Sequence, residues 1–201
     1  ILLDEIQELI ENEGFKFLLT GSSARKLKRS HANMLGGRAA SIGFYPLSFS
    51  EIPDFDLKKY LMWGGLPRVY LSPDPMLELD SYIKTYLEEE VRLEANVRNL
   101  APFHRFLKTA ALCNGQLINY ASISSDAAVP ASTVKQYFEV LTDTLLATSL
   151  EPWIESKKRK AIQTAKFYFF DPGVTHFIAG TETIDRNSNL WGTSFEQFIF
   201  M

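Results

Sequence analysis

Apolar residues recur along this chain in two different rhythms. Continuous aliphatic runs, the mark of strands buried on both faces, occur at Ile1–Leu3 and again at Phe15–Thr20. Ala39–Leu47 is mostly apolar and is closed by Pro46. These runs predict three strands. Glu8–Asn12 reads as a helix stopped by Glu13-Gly14, Lys26–Asn33 as a basic helix, and Leu35-Gly36-Gly37-Arg38 as a turn.

From Ser48 onward the rhythm becomes helical. Phe49–Trp63 is short and helical, with Pro53 as a breaker, and Gly64-Gly65-Leu66-Pro67 is a firm turn. Apolar residues at 76, 79, 83, 86, 87 and 91 make a stripe whose far side holds Glu88, Glu89 and Glu90. Phe103–Cys113 is a further helix, stopped by Asn114-Gly115, and Tyr120–Ala127 is a short one. Ser132 is placed to cap a helix over Thr133–Leu146, with Val134, Tyr137, Phe138, Leu141 and Leu145 on one face. Ala147–Trp153 and Lys166–Phe170 read as strands, joined through Lys157-Lys158-Arg159-Lys160. Three helices followed by a strand pair with a basic loop is the order of a winged helix. Asp171–Ala179 closes as a helix, and Leu190–Met201 is an apolar tail with no visible partner.

Composition narrows the function classes. The 201 residues are 46% hydrophobic and 22% charged, which suits one or two globular cores. The net charge of −3 supplies no overall field for nucleic acid, so such binding needs a local patch. A single cysteine, Cys113, excludes an internal disulfide and fits a reducing, cytoplasmic setting. No apolar run approaches the ~20 residues of a membrane span. His31, His104 and His176 have no spacing for metal or triad chemistry.

The candidate chemistry sits at the start. Apolar residues running into Asp4-Glu5 are how a buried strand delivers two carboxylates to a nucleotide site. In a P-loop ATPase the Asp holds Mg²⁺, usually through water, and the Glu orients the attacking water. The competing reading is a pair of acids at a helix start. The partner of such a strand, a phosphate loop of the form G-x-x-x-x-G-K-[ST], does not occur in the sequence. The expectation is a fragment that begins inside an ATPase domain.

With LLDEIQ, FLLTGSSARKL, the LGGRA turn, FYPLSFSE, GGLPRVY and GQLINYASISSDAAVPASTVKQYFEVL through KKRKAIQTAKFYFFDPGV, the chain resembles the AAA-type P-loop ATPases that carry a C-terminal DUF4143 region. The resemblance implies an α/β and α+β architecture. Residues 1–50 would be the C-terminal part of the P-loop ATPase sheet, 51–101 a helical lid, 102–180 a winged helix, and 181–201 the start of a nuclease-like α/β domain. Asp4 and Glu5 match the family's Walker B pair, and Ser22 and Ser23 its sensor position. A hydroxyl there can reach the γ-phosphate or serve as a helix cap. Arg38 and Arg25 are the cationic candidates for phosphoryl transfer, against a structural ion-pair reading. ATP and Mg²⁺ are the implied cofactors, in the intact parent rather than in this fragment. The implied partners are an unidentified protein and further copies of the chain. DNA contact would place Thr133, Lys135 and Gln136 in the major groove, with Lys157, Lys158, Arg159 and Lys160 on phosphates. Against it, Glu139 and Asp143 lie on the same helix. A third reading is an interaction scaffold with an unused nucleotide fold. Glu196 lies where the nuclease-like domain would begin, and one acid makes no such site.

Overall fold

The computed structural model describes residues 2–20, 40, 42–87, 100–152 and 164–201. The basic helix at 26–33, the turn at 35–38, Glu88 to Glu90 and the Lys157–Lys160 loop lie outside the described residues.

The architecture is mixed and helix-rich, with a small antiparallel sheet. Helix α1 spans Leu2–Glu13, and a 3₁₀ turn Phe49–Glu51 leads into α2 (Leu57–Trp63), α3 (Pro67–Tyr70) and α4 (Pro75–Ser81). Helix α4 runs on as a π-helical turn, Tyr82–Leu87. Next come α5 (Leu100–Leu112), α6 (Tyr120–Ala127) and α7 (Ala131–Asp143), then strands β1 (Ala147–Leu150) and β2 (Lys166–Phe169). Helices α8 (Pro172–Ala179) and α9 (Asn189–Phe200) close the chain.

The main core lies where the stripes predict it, except that Leu145, expected on the α7 face, lies beyond the helix end at φ +62 and is 58% exposed. Phe103, Phe106, Leu107, Ala110 and Ala111 recur on one face of α5, and Val134, Tyr137, Phe138 and Leu141 on one face of α7; all are buried. Their rings meet edge to face: Phe103–Tyr137 at 5.1 Å, Phe106–Phe138 at 4.9 Å and Phe138–Phe167 at 4.6 Å between centroids. Phe167 reaches this core because β2 pairs with β1 in the register Thr148↔Tyr168 and Ser149↔Phe167. Phe167 and Phe169 therefore face the helices, and Tyr168 faces the other way. The ring of Phe200 on α9 stacks on Tyr168 at 4.4 Å. The loop after α5 extends the ladder through a Leu117↔Lys166 bridge and Ile118 N–H to Ala165 O at 3.0 Å.

The three N-terminal strand expectations are not met among the described residues. The opening run is helical from Leu2, with Ile6 buried and Asp4 and Glu5 exposed. Phe15–Thr20 lacks regular structure and is exposed, Leu18 at 91%. Residues 42–47 likewise pair with no strand, and Phe44 is fully exposed. A continuous aliphatic run specifies a strand only where neighbours complete its ladder. Without them local preference decides. Positions 2, 6, 9 and 10 also fit a helical stripe, and acids in the first turn favour the helix start. Two smaller expectations also change. Pro130 is the N-cap of α7 and makes no side-chain cap, so Ser132 lies inside the helix. The apolar tail does have partners: α9 packs on α2 and α8.

Candidate functional site

Of the nucleotide-site candidates, Asp4 and Glu5 are described, on the exposed first turn of α1. They stand on a helix and not at a strand end. Ser22, Ser23, Arg25 and Arg38 lie outside the described residues. Among the described residues no group of three or more His, Cys, Asp or Glu is placed to hold a metal ion. On α7, Lys135 and Gln136 are exposed, Thr133 is half-buried, and Glu139 is exposed beside them. Lys157, Lys158, Arg159 and Lys160 lie outside the described residues.

The densest polar chemistry is a buried carboxylate, Asp171. It caps α8 by accepting Val174 N–H at 3.0 Å and reaches across the molecule to accept Gly65 N–H at 2.7 Å. The N–H groups of Leu66 and Gly173 add to the same carboxylate. The Gly64-Gly65 turn is built around it. Gly64 has φ +78, and a Cβ there would lie 1.9 Å from Asp171 Oδ1. A Cβ on Gly173 would lie 2.0 Å from the Trp63 carbonyl oxygen. Both glycines are thus required by close approach. Burial raises the Asp171 carboxyl to about 6 against the pull of the backbone N–H groups around it. Asp-Pro-Gly was legible as a helix start; its grip on a turn 106 residues away was not.

A second buried network seats α9. Asn114 donates to Gln197 Oε1 at 2.9 Å and accepts Phe169 N–H at 2.9 Å. Gln197 donates to Phe169 O at 2.8 Å and to Thr175 Oγ1 at 3.2 Å. One turn away, His176 Nε2 lies 2.9 Å from Ser194 Oγ, while His176 Nδ1 is buried without a partner. Burial lowers the His176 imidazole to about 4. Ser194 also donates to Leu190 O at 2.7 Å, so its hydroxyl proton has a backbone acceptor. The pair reads as a packing contact rather than a nucleophile and base. At the surface Glu196 accepts from Lys166 Nζ and from the Tyr168 hydroxyl, which holds its carboxyl below the usual range.

A groove opens between residues 47–56 and the α2–α3 segment, with a volume of about 460 Å³. Its walls are Leu47, Ile52, Pro53, Pro67, Tyr70 and Leu71, and its charged groups are Glu51, Asp54, Asp56 and Lys59. The Lys59 ammonium sits 4.6 Å from the Tyr70 ring centroid. The Tyr70 hydroxyl accepts Asp56 N–H at 3.3 Å, and Asp56 caps α2 at Lys59 N–H.

The comparisons divide the chain at this same region. An AAA domain family matches residues 1–53. The family described as a domain of unknown function, DUF8612, matches residues 54–185, well over half of the chain, and the chain belongs to it. The resemblance implied a C-terminal DUF4143 region; the family matched over residues 54–185 is DUF8612. An uncharacterized protein of Mycobacterium tuberculosis is 27% identical over 92% of this chain and 43% of its own length. One of Haemophilus influenzae is 26% identical over 81% of this chain and 46% of its own, and one of Methanocaldococcus jannaschii 22% over 85% and 46%. The chain thus spans less than half the length of these relatives. No solved structure matches. No helix among the described residues is long and apolar enough to cross a membrane.

Proposed function

We propose that this member of the DUF8612 family is part of an AAA-type ATPase, in which nucleotide binding and hydrolysis act on a partner through the helical region that follows. The observation that carries the reading is the AAA domain match over residues 1–53, the stretch containing Asp4-Glu5, Ser22-Ser23, Arg25 and Arg38. In this reading ATP with Mg²⁺ is the cofactor of the whole gene product. Glu5 is its candidate base, Asp4 its metal-side carboxylate, Ser22 or Ser23 its sensor, and Arg38 with Arg25 its cations.

The run α5–α6–α7–β1–β2 supports a winged-helix reading of the second half. The short α6 is capped by Asn119, α7 packs its apolar face inward, and an antiparallel pair follows. Winged helices either read DNA or hold partners. Exposed Lys135 and Gln136 favour the first use; Glu139 on the same exposed face opposes phosphate and favours the second. A protein partner is therefore the leading reading and DNA the alternative.

The test is phosphate release by the full-length gene product and by its Glu5→Gln variant. Glutamine is close to isosteric but a poor base, so the variant should retain ATP binding and lose most hydrolysis. Hydrolysis at the parent rate would return Glu5 to a helix-start role. The 201-residue chain contains no Gly-Lys-Ser/Thr phosphate loop and should release no phosphate above a no-enzyme control.

A further inference from the structure

We propose that the groove between residues 47–56 and the α2–α3 segment is a docking site for an extended basic peptide, one in which Lys or Arg is flanked by aliphatic residues. The proposal is independent of the ATPase reading.

The shape and charge of the groove carry it together. Six of the ten residues that line it are apolar: Leu47, Ile52, Pro53, Pro67, Tyr70 and Leu71. Leu71 is 73% exposed, so part of this wall faces water in the free chain. A volume of about 460 Å³ suits a few side chains rather than a bare ion. Among the described residues its charges are three carboxylates, Glu51, Asp54 and Asp56, against one ammonium, Lys59. Glu51 has its carboxyl held below the usual range by the Ser48 backbone and hydroxyl, so it stays ionised in mild acid. The groove therefore repels phosphates and attracts cations.

The floor already shows how a cation is received. Lys59 extends across Tyr70 with its ammonium over the ring. Tyr70 itself is 5% exposed and fixed by its hydroxyl contact to Asp56 N–H and by packing on Tyr60. A guest Lys or Arg can share or take that ring face, because the flexible Lys59 side chain can turn outward. Its aliphatic neighbours would cover Leu71 and the two prolines, and its remaining cations would meet the acidic rim. This mixture of apolar floor and acidic edge selects a basic, partly aliphatic polypeptide over a polyamine, which offers charge without matching side chains.

A labelled synthetic peptide with the sequence of residues 153–162, WIESKKRKAI, supplies four cations with aliphatic neighbours. Fluorescence anisotropy with the whole 201-residue chain is the assay. Saturable binding that weakens with salt is expected. The same peptide with its Lys and Arg replaced by Gln should bind at least about tenfold more weakly. Asp54→Lys should weaken binding about tenfold and flatten the salt dependence. Leu71→Ser should weaken binding with no change in melting temperature, since the side chain is largely exposed. The proposal is overturned by absence of saturable binding, by equal binding of the Gln peptide, by variants that bind as the parent does, or by spermine displacing the peptide at equal cation concentration. Circular dichroism melts of both variants separate a lost groove from a lost fold.

Discussion

Replacing Asp171 by Ala should be among the most damaging single changes in the described part of the molecule. Its carboxylate accepts N–H groups from Gly65 and Val174 at 2.7 and 3.0 Å, with Leu66 and Gly173 adding to it, and it is fully buried. Alanine leaves these donors without an acceptor. Each unsatisfied buried donor costs about 1–3 kcal/mol, and loss of a helix cap costs about 1 kcal/mol. Water entering the vacated space recovers part of this, so the expected loss is about 3–5 kcal/mol, the range for breaking a buried charged network. With a urea slope of about 2 kcal/mol/M, the unfolding midpoint should fall by about 2 M. Asp171→Asn should be nearly as damaging, because its amide turns a donor towards other donors. Gly64→Ala should also be severe, since its Cβ would sit 1.9 Å from Asp171 Oδ1 at φ +78. Gly180→Ala is the control: its φ is +76 but nothing lies within 4 Å, so it should cost only about 1 kcal/mol. If Asp171→Ala costs no more than Gly180→Ala in urea titrations, the account of Asp171 as a buried acceptor for Gly65 and Val174 is wrong.

The remaining predictions concern pH, the α9 seat and the nucleotide reading. Asp171 titrates near 6 when folded against 3.8 when free, so the native state holds the extra proton between those values, and this group's contribution falls as pH rises through that window. His176 does the opposite. Its folded value near 4 lies below 6.5, so the unfolded state holds the extra proton and stability rises with pH between about 4 and 6.5. The two slopes oppose each other, and Asp171→Ala should therefore steepen the rise of stability from pH 4 to 6; an unchanged slope in urea titrations across that range refutes the assignment. Gln197→Ala should cost about 2–4 kcal/mol by stranding Asn114 and the Phe169 carbonyl, whereas Glu196→Gln, at an exposed pair, should cost less than about 1 kcal/mol; chemical denaturation checks both. In the full-length gene product Arg38→Ala should cut ATP hydrolysis by orders of magnitude with folding intact, and turnover equal to the parent would return Arg38 to a structural role.

Sequence legibility divided at about residue 48. The helices α5, α6 and α7 and the two strands could be read within a few residues because their signals are local: a 3.6 stripe of Phe103, Phe106, Leu107 and Ala110, the stop at Asn114-Gly115, and aromatic runs such as Phe167–Phe169. The start of the chain could not, because an aliphatic run such as Phe15–Thr20 acquires its meaning from ladder partners elsewhere. The groove at Tyr70 was missed for a related reason. It is assembled from a loop and two short helices whose lining residues carry no spacing of their own. The polar seats were least legible, since Asn114 and Gln197 are 83 positions apart and Gly65 and Asp171 are 106. A lone Gln on an apolar tail signals nothing until its acceptor arrives.

The same long-range contacts limit where this protein can bend. Helix α8 packs on both α2 and α5, and α9 touches α2 as well as α8. Asp171 ties the Gly64-Gly65 turn to α8, and Gln197 ties α9 to β2 and to the end of α5. Residues 57–70 therefore cannot swing away from residues 166–200 without breaking the Gly65 N–H bond to the buried Asp171 carboxylate. Among the described residues, 15–20 and 42–45 are exposed and make no ladder, so a hinge there leaves both polar seats intact. Hydrogen exchange tests this directly. The amides of Gly65 and Val174 should open only with global unfolding, while those of Lys16 to Thr20 should exchange at close to free-peptide rates. Exchange of Gly65 well ahead of Val174 would show that the turn releases Asp171 on its own, and would move the hinge into the α2–α3 segment.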